Sequence, residues 1–293
     1  MRILVIGASG LVGSHVQREA ARSGHSVLGT YRHCPRPDLV PLDLEACSDV
    51  REATLKLEDL MAGFRPEALA FCAAWSWVDG CERDPDKAMR NNALHPRIAA
   101  RLARRSRARF LHFSTSYVFN GQDGPYSEED PPDPINAYGH SKLAGERAVQ
   151  EASDGEALIA RTILVFGDEA QRRNFVFQLL GRLREGKSMR VPLDQEGNPT
   201  DARDLAAAAL RLLTLDKTGV WNLAGPEPRM TRHEFARLVC ERHGLSADLL
   251  QPLTTEQLGQ EAPRPLRAGL LTRKADAFVR FRTAYEALSE WDV

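Results

Sequence analysis

A glycine-rich turn that begins six residues into the chain constrains this protein more than any other feature. "RILVIG" is a short apolar run of the kind that forms a buried parallel strand. It leads directly into "ASGLVGSHVQREAARSG", a segment of helical composition that stops at Gly24. Between strand and helix, Gly7, Gly10 and Gly13 form a G-x-x-G-x-x-G pattern. Glycines there permit a tight turn and let the backbone approach a pyrophosphate. The helix N-terminus adds free N–H groups and a positive dipole end for the same anion. A glycine triplet alone is a weak signal, and its place between the first strand and the first helix makes it a strong one. Ser9, Leu11 and Val12 complete the turn and join the glycines in the expected cofactor-binding set.

The rest of the first half repeats the strand–helix alternation. Apolar runs recur at "HSVLGTYR", "EALAFCAA" (67–74), "ARFLHFSTS" (108–116) and "EALIARTILVFG" (156–167), with helical stretches around 48–62, 86–105 and 138–152. Strands alternating with helices imply a parallel α/β sheet. After about residue 167 the rhythm changes to helical stretches near 174–185, 201–214, 231–243 and 273–288, joined by Pro- and Gly-rich loops. Only "MRVP" (189–192) and "GVWNLAG" (219–225) read as strands there. The expectation is an α/β fold: a Rossmann-type, doubly wound parallel sheet over residues 1–167, with a smaller, mostly helical substrate lobe over 168–293. The segment 201–223 is expected to return to the first domain.

Bulk numbers exclude several function classes. A net charge of −1 gives no global field for nucleic acid. The basic run "RLARRSRARF" (101–110) has no aromatic platforms beside it and reads as the solvated end of a helix. Five scattered cysteines, odd in number and without a C-x-x-C, argue against a disulfide framework or a zinc site. "HEFAR" (233–237) lacks the second histidine of a zinc helix, so no metal is expected. Neither a signal peptide nor a membrane span is evident, which makes a reducing cytoplasm the default setting.

Two features bear on chemistry. The second strand ends "GTYRH", where a site for NAD would carry an Asp or Glu for the ribose 2′-hydroxyl. Arg32 stands there instead, and its forked donors suit a 2′-phosphate, so NADP(H) is favoured over NAD(H). Further on, Asp43 and Leu44 are the candidates for the adenine side. In "AYGHSKLAGE" (137–146), Tyr138 and Lys142 stand four apart, on one face of a helix. A nearby cation favours phenolate and would bring a Tyr pKa of about 10 toward neutrality, where it can exchange a proton. Spacing alone leaves a plain surface helix as the alternative.

Several motifs together carry a resemblance: "GASGLVG", "CAAWSWVDGCERDPDKAMRNNA", "FSTSYVFNGQDGPYSEED", "PINAYGHSKLAGE", "ARTILVFG", "LDQEGNPTDARDLA" and "RPLRAGLLTRKA". Along nearly its whole length the chain resembles the extended short-chain dehydrogenase/reductases. More narrowly it resembles the dTDP-4-dehydrorhamnose reductase branch, which also includes the regulatory β subunit of methionine adenosyltransferase. The resemblance implies a catalytic set of Thr115, Tyr138 and Lys142. In the family, Tyr protonates the carbonyl oxygen as hydride arrives, Thr holds that oxygen, and Lys grips the nicotinamide ribose and lowers the Tyr pKa. Thr115 follows an apolar run and so sits at a strand's carboxyl end, where open α/β sheets place ligands. Ser114 is a rival hydroxyl on the opposite face of the strand, and the family motif selects Thr115.

The same resemblance places Ala73, Ala74 and Ser76 along the cofactor with Asn92 nearby, and Arg161 and Thr162 beside the nicotinamide. It assigns Asn174 and Phe175 to the nucleotide-sugar edge, and Gln195, Pro199 and Thr200 to a loop near that pocket. Two substrate-side positions depart from the family pattern: Ser116 stands where an Asp is usual, and Leu164 where a Trp is usual. Trp75 and Trp77 are candidates for compensating surface. Sugar-nucleotide dehydratases keep an acidic pair where this chain has Ser116 and Tyr117, so elimination lacks its acid and base. The leading expectation is NADPH-dependent reduction of a carbonyl on a nucleotide-linked keto-deoxysugar. The alternatives are an NADP-binding regulatory or scaffold subunit without turnover, and a sugar-nucleotide epimerase. A homodimer is left open.

Overall fold

The computed structural model describes residues 1–291. Seven strands lie side by side, all parallel: β1 (Arg2–Ile6), β2 (Ser26–Tyr31), β3 (Leu39–Pro41), β4 (Ala68–Phe71), β5 (Arg109–Thr115), β6 (Leu158–Thr162) and β7 (Gly219–Asn222). Their order is β7-β6-β5-β4-β1-β2-β3. The order reverses beside β1, so a crevice opens between the carboxyl ends of β1 and β4. The helices up to residue 242 are, in chain order, α1 (Leu11–Arg22), α2 (Val50–Phe64), α3 (Val78–Arg83), α4 (Pro85–Met89), α5 (His95–Arg105), α6 (Ala137–Ala152), α7 (Phe175–Arg184), α8 (Ala202–Thr214) and α9 (Arg232–Arg242).

The apolar runs are buried on both faces, which is why they read as continuous rather than alternating. On one face Val16 and Ala20 of α1 meet Leu205 and Ala209 of α8 over Val5 and Ala70. On the other, Leu57 of α2, Ile98 and Leu102 of α5 and Val149 of α6 cover Leu4, Leu69 and Ile159. Each such aliphatic side chain contributes about 1.5–3 kcal/mol on full burial. The segment after residue 200 does return to the sheet: α8 packs on α1, and β7 pairs with β6 in parallel. A third core, with Phe177, Leu180, Val191, Phe235, Val239 and Leu288, holds the C-terminal lobe together.

Four readings change. Beyond the two strands expected after residue 167, Leu250–Leu253 is also a strand, paired in parallel with Met189–Pro192. The run at Leu39–Pro41 is an edge strand, too short and Pro-containing to read as one from sequence. The stretch at 86–105 is helical but not uniform: α4 passes into a π-helical turn, Arg90–Leu94, and then into α5. The stretch at 273–288 is two short helices, Arg273–Asp276 and Ala284–Ser289; Thr283 caps the second through a reciprocal pair with Glu286. The basic run at 101–110 ends α5 and enters β5 at the amino end of the sheet, among acids. Arg104 pairs with Asp154 and Glu156, Arg105 with Glu58, and Arg109 with Asp216. Among the described residues, no helix is long and apolar enough to cross a membrane.

Candidate active site

Thr115 closes β5 at its carboxyl end, in register with Thr162 of β6. Opposite it, α6 starts at a fixed point. Asn136 caps it by accepting from the Gly139 N–H at 2.8 Å, and Glu82 accepts from the Ala137 N–H at 2.9 Å. Tyr138 therefore sits in the first turn, its phenol near the Thr115 hydroxyl, which accepts from the Tyr117 N–H at 3.2 Å. The Tyr117 ring stands edge-on to Tyr138 with centroids 5.8 Å apart. Burial pushes the phenol above its ordinary range, and the nearby Thr115 hydroxyl works the other way.

Lys142 lies one turn further and is 2% exposed. Its Nζ donates to the Phe113 carbonyl at 2.6 Å and faces His112 Nε2 at 3.4 Å. Burial pulls the ammonium down to about 8, with Glu146 acting to raise it. His112 is itself held well below its ordinary value, by burial and then by the Lys142 charge. A neutral imidazole can accept at Nε2. The expected lowering of the Tyr138 pKa by Lys142 is not met here: the ammonium is engaged by Phe113 and His112, and burial governs the phenol.

One further turn along α6, Glu146 is buried. It accepts from Ser114 Oγ at 2.5 Å and forms a two-point pair with Arg161 of β6, at 2.9 and 2.7 Å. Ser114 therefore points inward, away from Thr115, as strand alternation requires. The Arg161 guanidinium lies against the Phe119 ring, 5.1 Å from its centroid. Its side chain is thus turned to the interior, toward Glu146 and Phe119. Arg161 Nη1, His112 Nδ1 and the hydroxyls of Thr162 and Ser116 are buried without a partner.

Beside this group, at the sheet's crevice, runs a cleft of about 470 Å³. It is lined by Gly7, Ser9, Gly10, Leu11, Arg32, Leu44, Ala73, Ala74 and Ser76, nine of the residues expected there. Gly7 is left-handed, with φ of +84°, and a Cβ on Gly13 would lie 2.2 Å from the Gly7 carbonyl oxygen. Val12 and Gly13 thus form the inner wall of the turn, in the first turn of α1. That helix has no side-chain cap and no acid in its first turn. Its free N–H groups and dipole fit a pyrophosphate. Arg32 stands at the cleft's far end, paired with Glu45.

Several predicted residues hold the site rather than face it. Asn92, in the π-helical turn, accepts from the Trp75 N–H at 2.9 Å. It donates to the Trp75 carbonyl and to Ser141 Oγ at 3.0 and 2.9 Å. It thereby ties the loop after β4 to α6. Asp43 Oδ1 accepts from the Glu45 and Ala46 N–H groups at 3.0 and 3.2 Å, so one of its two carboxylate oxygens shapes the turn beside the cleft.

The nucleotide-sugar set is not gathered into one pocket. Asn174 lines the dinucleotide cleft and caps α7. Phe175 stacks on Phe235 in the C-terminal core, with Arg232 over its ring. Gln195 is 7% exposed and bonded to Thr255 and Gln260. Thr200 is fully buried, its hydroxyl donating to the Asn198 carbonyl and accepting from the Gly225 N–H, with Pro199 in the same buried turn. Leu164 has φ of +47° and packs against the small core that includes Ile163, Phe119 and Tyr126. Of the two tryptophans, Trp77 is 56% exposed, and Trp75 lies under the Lys87 ammonium at 4.8 Å.

Four site residues escaped sequence reading: His112, Glu146, Glu45 and Gln171. The first had a signal, a lone imidazole inside the apolar run "FLHFS". Glu146 had one too, an acid one turn beyond Lys142 on the same face. Gln171 donates to the Ser9 carbonyl at 3.0 Å and straps the loop after β6 onto the glycine turn, which no spacing foretells.

Fold and site together place the chain among the extended short-chain dehydrogenase/reductases, oxidoreductases that work with a bound nicotinamide dinucleotide. Comparison with known proteins narrows this. The sequence profile of the RmlD substrate binding domain matches residues 1–290, and the chain belongs to that family. It is 34% identical over 275 residues to a probable low-salt glycan biosynthesis reductase of Haloferax volcanii, spanning 92% of this chain and 89% of that one. It is 32% identical over 271 residues to methionine adenosyltransferase 2 subunit beta of Xenopus laevis, spanning 90% of this chain and 78% of that one. The solved dTDP-4-dehydrorhamnose reductase of Bacillus anthracis str. Ames, in complex with NADP, matches at a TM-score of 0.85 and 27% identity, over 98% of this chain and 96% of that one. Among the described residues, no group of three or more His, Cys, Asp or Glu is placed to hold a metal ion.

Proposed function

We propose that this protein reduces the carbonyl of a nucleotide-linked keto-deoxysugar, drawing on NADPH in preference to NADH. The observation that carries the reading is the meeting of Thr115 and Tyr138 at the carboxyl end of β5, beside a cleft whose glycine turn fits a pyrophosphate. The bound nicotinamide supplies the hydride. Tyr138 gives its proton to the carbonyl oxygen as hydride arrives, and burial keeps the phenol protonated until then. The Thr115 hydroxyl holds the same oxygen. Lys142, fixed by Phe113 and His112, keeps its remaining donor for the nicotinamide ribose. Ala73, Ala74 and Ser76 lie along the cofactor, and Arg32 takes the 2′-phosphate. The lobe from residue 168 onward contributes the sugar side, with Ser116 and Leu164 at its inner edge. Five free cysteines fit a reducing, cytoplasmic setting.

The test is NADPH consumption with a panel of 4-keto-6-deoxy nucleotide sugars. Turnover on one of them, abolished by Tyr138→Phe, supports the reading. Tight dinucleotide binding with no turnover on any of them favours a regulatory subunit. The likeness to methionine adenosyltransferase 2 subunit beta and the Ser116 and Leu164 departures are what keep that second reading in view.

A further inference from the structure

The far end of the dinucleotide cleft holds a charge arrangement that the reading above does not use. Arg32 leaves the carboxyl end of β2 and pairs through Nη1 with one oxygen of Glu45. Lys87, from α4, pairs through Nζ with the other oxygen at 2.6 Å. One carboxylate thus sits between two cations, in the place where the second strand of such a sheet meets the adenosine ribose. The position is built. Asp43 Oδ1 accepts from the Glu45 and Ala46 N–H groups at 3.0 and 3.2 Å and fixes the turn that presents Glu45. Lys87 is held from behind by the Trp75 ring. The other charges facing this corner are Asp43 and Arg90, with His95 buried and neutral beside them.

We propose that Glu45 stands in for the cofactor's 2′-phosphate in the free protein, and that it sets the preference between phosphorylated and unphosphorylated dinucleotide. The inference rests on the dinucleotide reading of the cleft. With Glu45 in place the corner offers a net charge of about +1, because two cations share one anion; a phosphate dianion needs both cations. Glu45 is on the rim, with a quarter of its side chain exposed. It can turn to solvent and release Arg32 and Lys87 to the phosphate. Binding a 2′-phosphate therefore breaks two ion pairs. Binding a bare ribose breaks neither, and the carboxylate retains lone pairs to accept the 2′-hydroxyl. So Glu45 works against NADPH and for NADH, and it keeps the preference that Arg32 creates smaller than Arg32 alone would give.

The experiment titrates two probes, 2′,5′-ADP and 5′-ADP, calorimetrically into the wild type and into Glu45→Gln, Lys87→Met and Arg32→Ala, each checked for an intact thermal transition. Glu45→Gln should tighten 2′,5′-ADP by about five- to tenfold, the scale of releasing one or two partly exposed ion pairs, while 5′-ADP holds or weakens. Lys87→Met should weaken 2′,5′-ADP by about threefold or more and leave 5′-ADP in place. An unchanged affinity ratio in Glu45→Gln, or a shift toward 5′-ADP, overturns the assignment of Glu45 even when Arg32→Ala weakens 2′,5′-ADP as expected. If Arg32→Ala leaves the ratio unchanged, the phosphate is not read at this corner, and both the NADPH preference and the role of Glu45 fall. If neither probe binds the wild type, the dinucleotide reading itself fails.

Discussion

Replacing Lys142 with methionine separates what the site costs from what it does. A buried ammonium whose pKa falls to about 8 from an ordinary 10.5 is held at a penalty. At 1.36 kcal/mol per pKa unit the penalty is roughly 3 kcal/mol at neutral pH. The sign follows from proton counting. Between pH 8 and 10.5 the unfolded chain keeps the Lys142 proton and the folded chain has released it, so stability rises with pH across that window. Below pH 8 the penalty is present in full. Lys142→Met removes it at every pH but leaves the Phe113 carbonyl and His112 without their donor, which costs about 1–3 kcal/mol.

The variant should therefore be as stable as the wild type at pH 7, or more stable by up to about 2 kcal/mol, and the advantage should shrink toward pH 10. Urea unfolding of both proteins at several pH values reads this directly, and the difference between them cancels the other groups that titrate there. The same variant should bind dinucleotide about 1.5–3 kcal/mol more weakly, having lost a charged hydrogen bond to the ribose. A variant destabilised by more than about 2 kcal/mol at pH 7 would refute the reasoning, as would a stability difference that stays flat with pH.

Tyr138→Phe keeps the ring and removes the transferable proton, so turnover should fall roughly 10²–10⁴-fold in the NADPH consumption assay with dinucleotide affinity nearly unchanged. Gly10→Val should fold, because a Cβ at Gly10 meets only the Gly7 carbonyl oxygen at 3.5 Å, yet it should block dinucleotide in titration. Gly13→Val should instead lower the melting temperature sharply, since its Cβ would overlap that oxygen at 2.2 Å. Arg32→Ala should weaken NADPH by about 1.5–3 kcal/mol and NADH little; equal loss for both cofactors in parallel titrations would count against a phosphate contact. Glu146→Gln leaves the Arg161 charge buried and unpaired, and chemical denaturation should show a loss of about 3–5 kcal/mol.

What could be read from the sequence follows a physical line. Strands buried on both faces must be continuous apolar runs, so β1, β4, β5 and β6 stood out, while the Pro-ending edge strand Leu39–Pro41 did not. Helices with caps and ordinary spacing were legible, but the π-helical turn at Arg90–Leu94 has no compositional mark and emerges from packing against α6. In the site, residues that present chemistry toward an open cleft matched their motifs: Gly7, Gly10, Arg32, Ala73 and Ser76 all line it. Residues that turn inward did not. Arg161 carries the same motif letters whether it faces a cofactor or a carboxylate, and only the fold brings Glu146 to 2.7 Å from it. Thr200, Gln195 and Phe175 illustrate the same limit, since each had already found a partner inside the protein.

The inward-facing polar groups explain how a Tyr–Lys pair keeps its geometry on a helix. On α6, positions 138, 142 and 146 form one stripe that descends from the carboxyl end of the sheet into the protein. The top member meets Thr115, the middle one Phe113 and His112, and the lowest Ser114 and Arg161. All of these partners but Arg161 lie on β5, and Arg161 lies on the neighbouring β6. Rotation or sliding of α6 against the sheet would break the whole ladder at once. Two of its rungs are charged groups taken from water, which is expensive unless they are paired. The helix is thus fixed by its least forgiving contacts. Tyr138, the outermost rung, takes its position from Lys142 and Glu146 below it together with the Asn136 cap beside it.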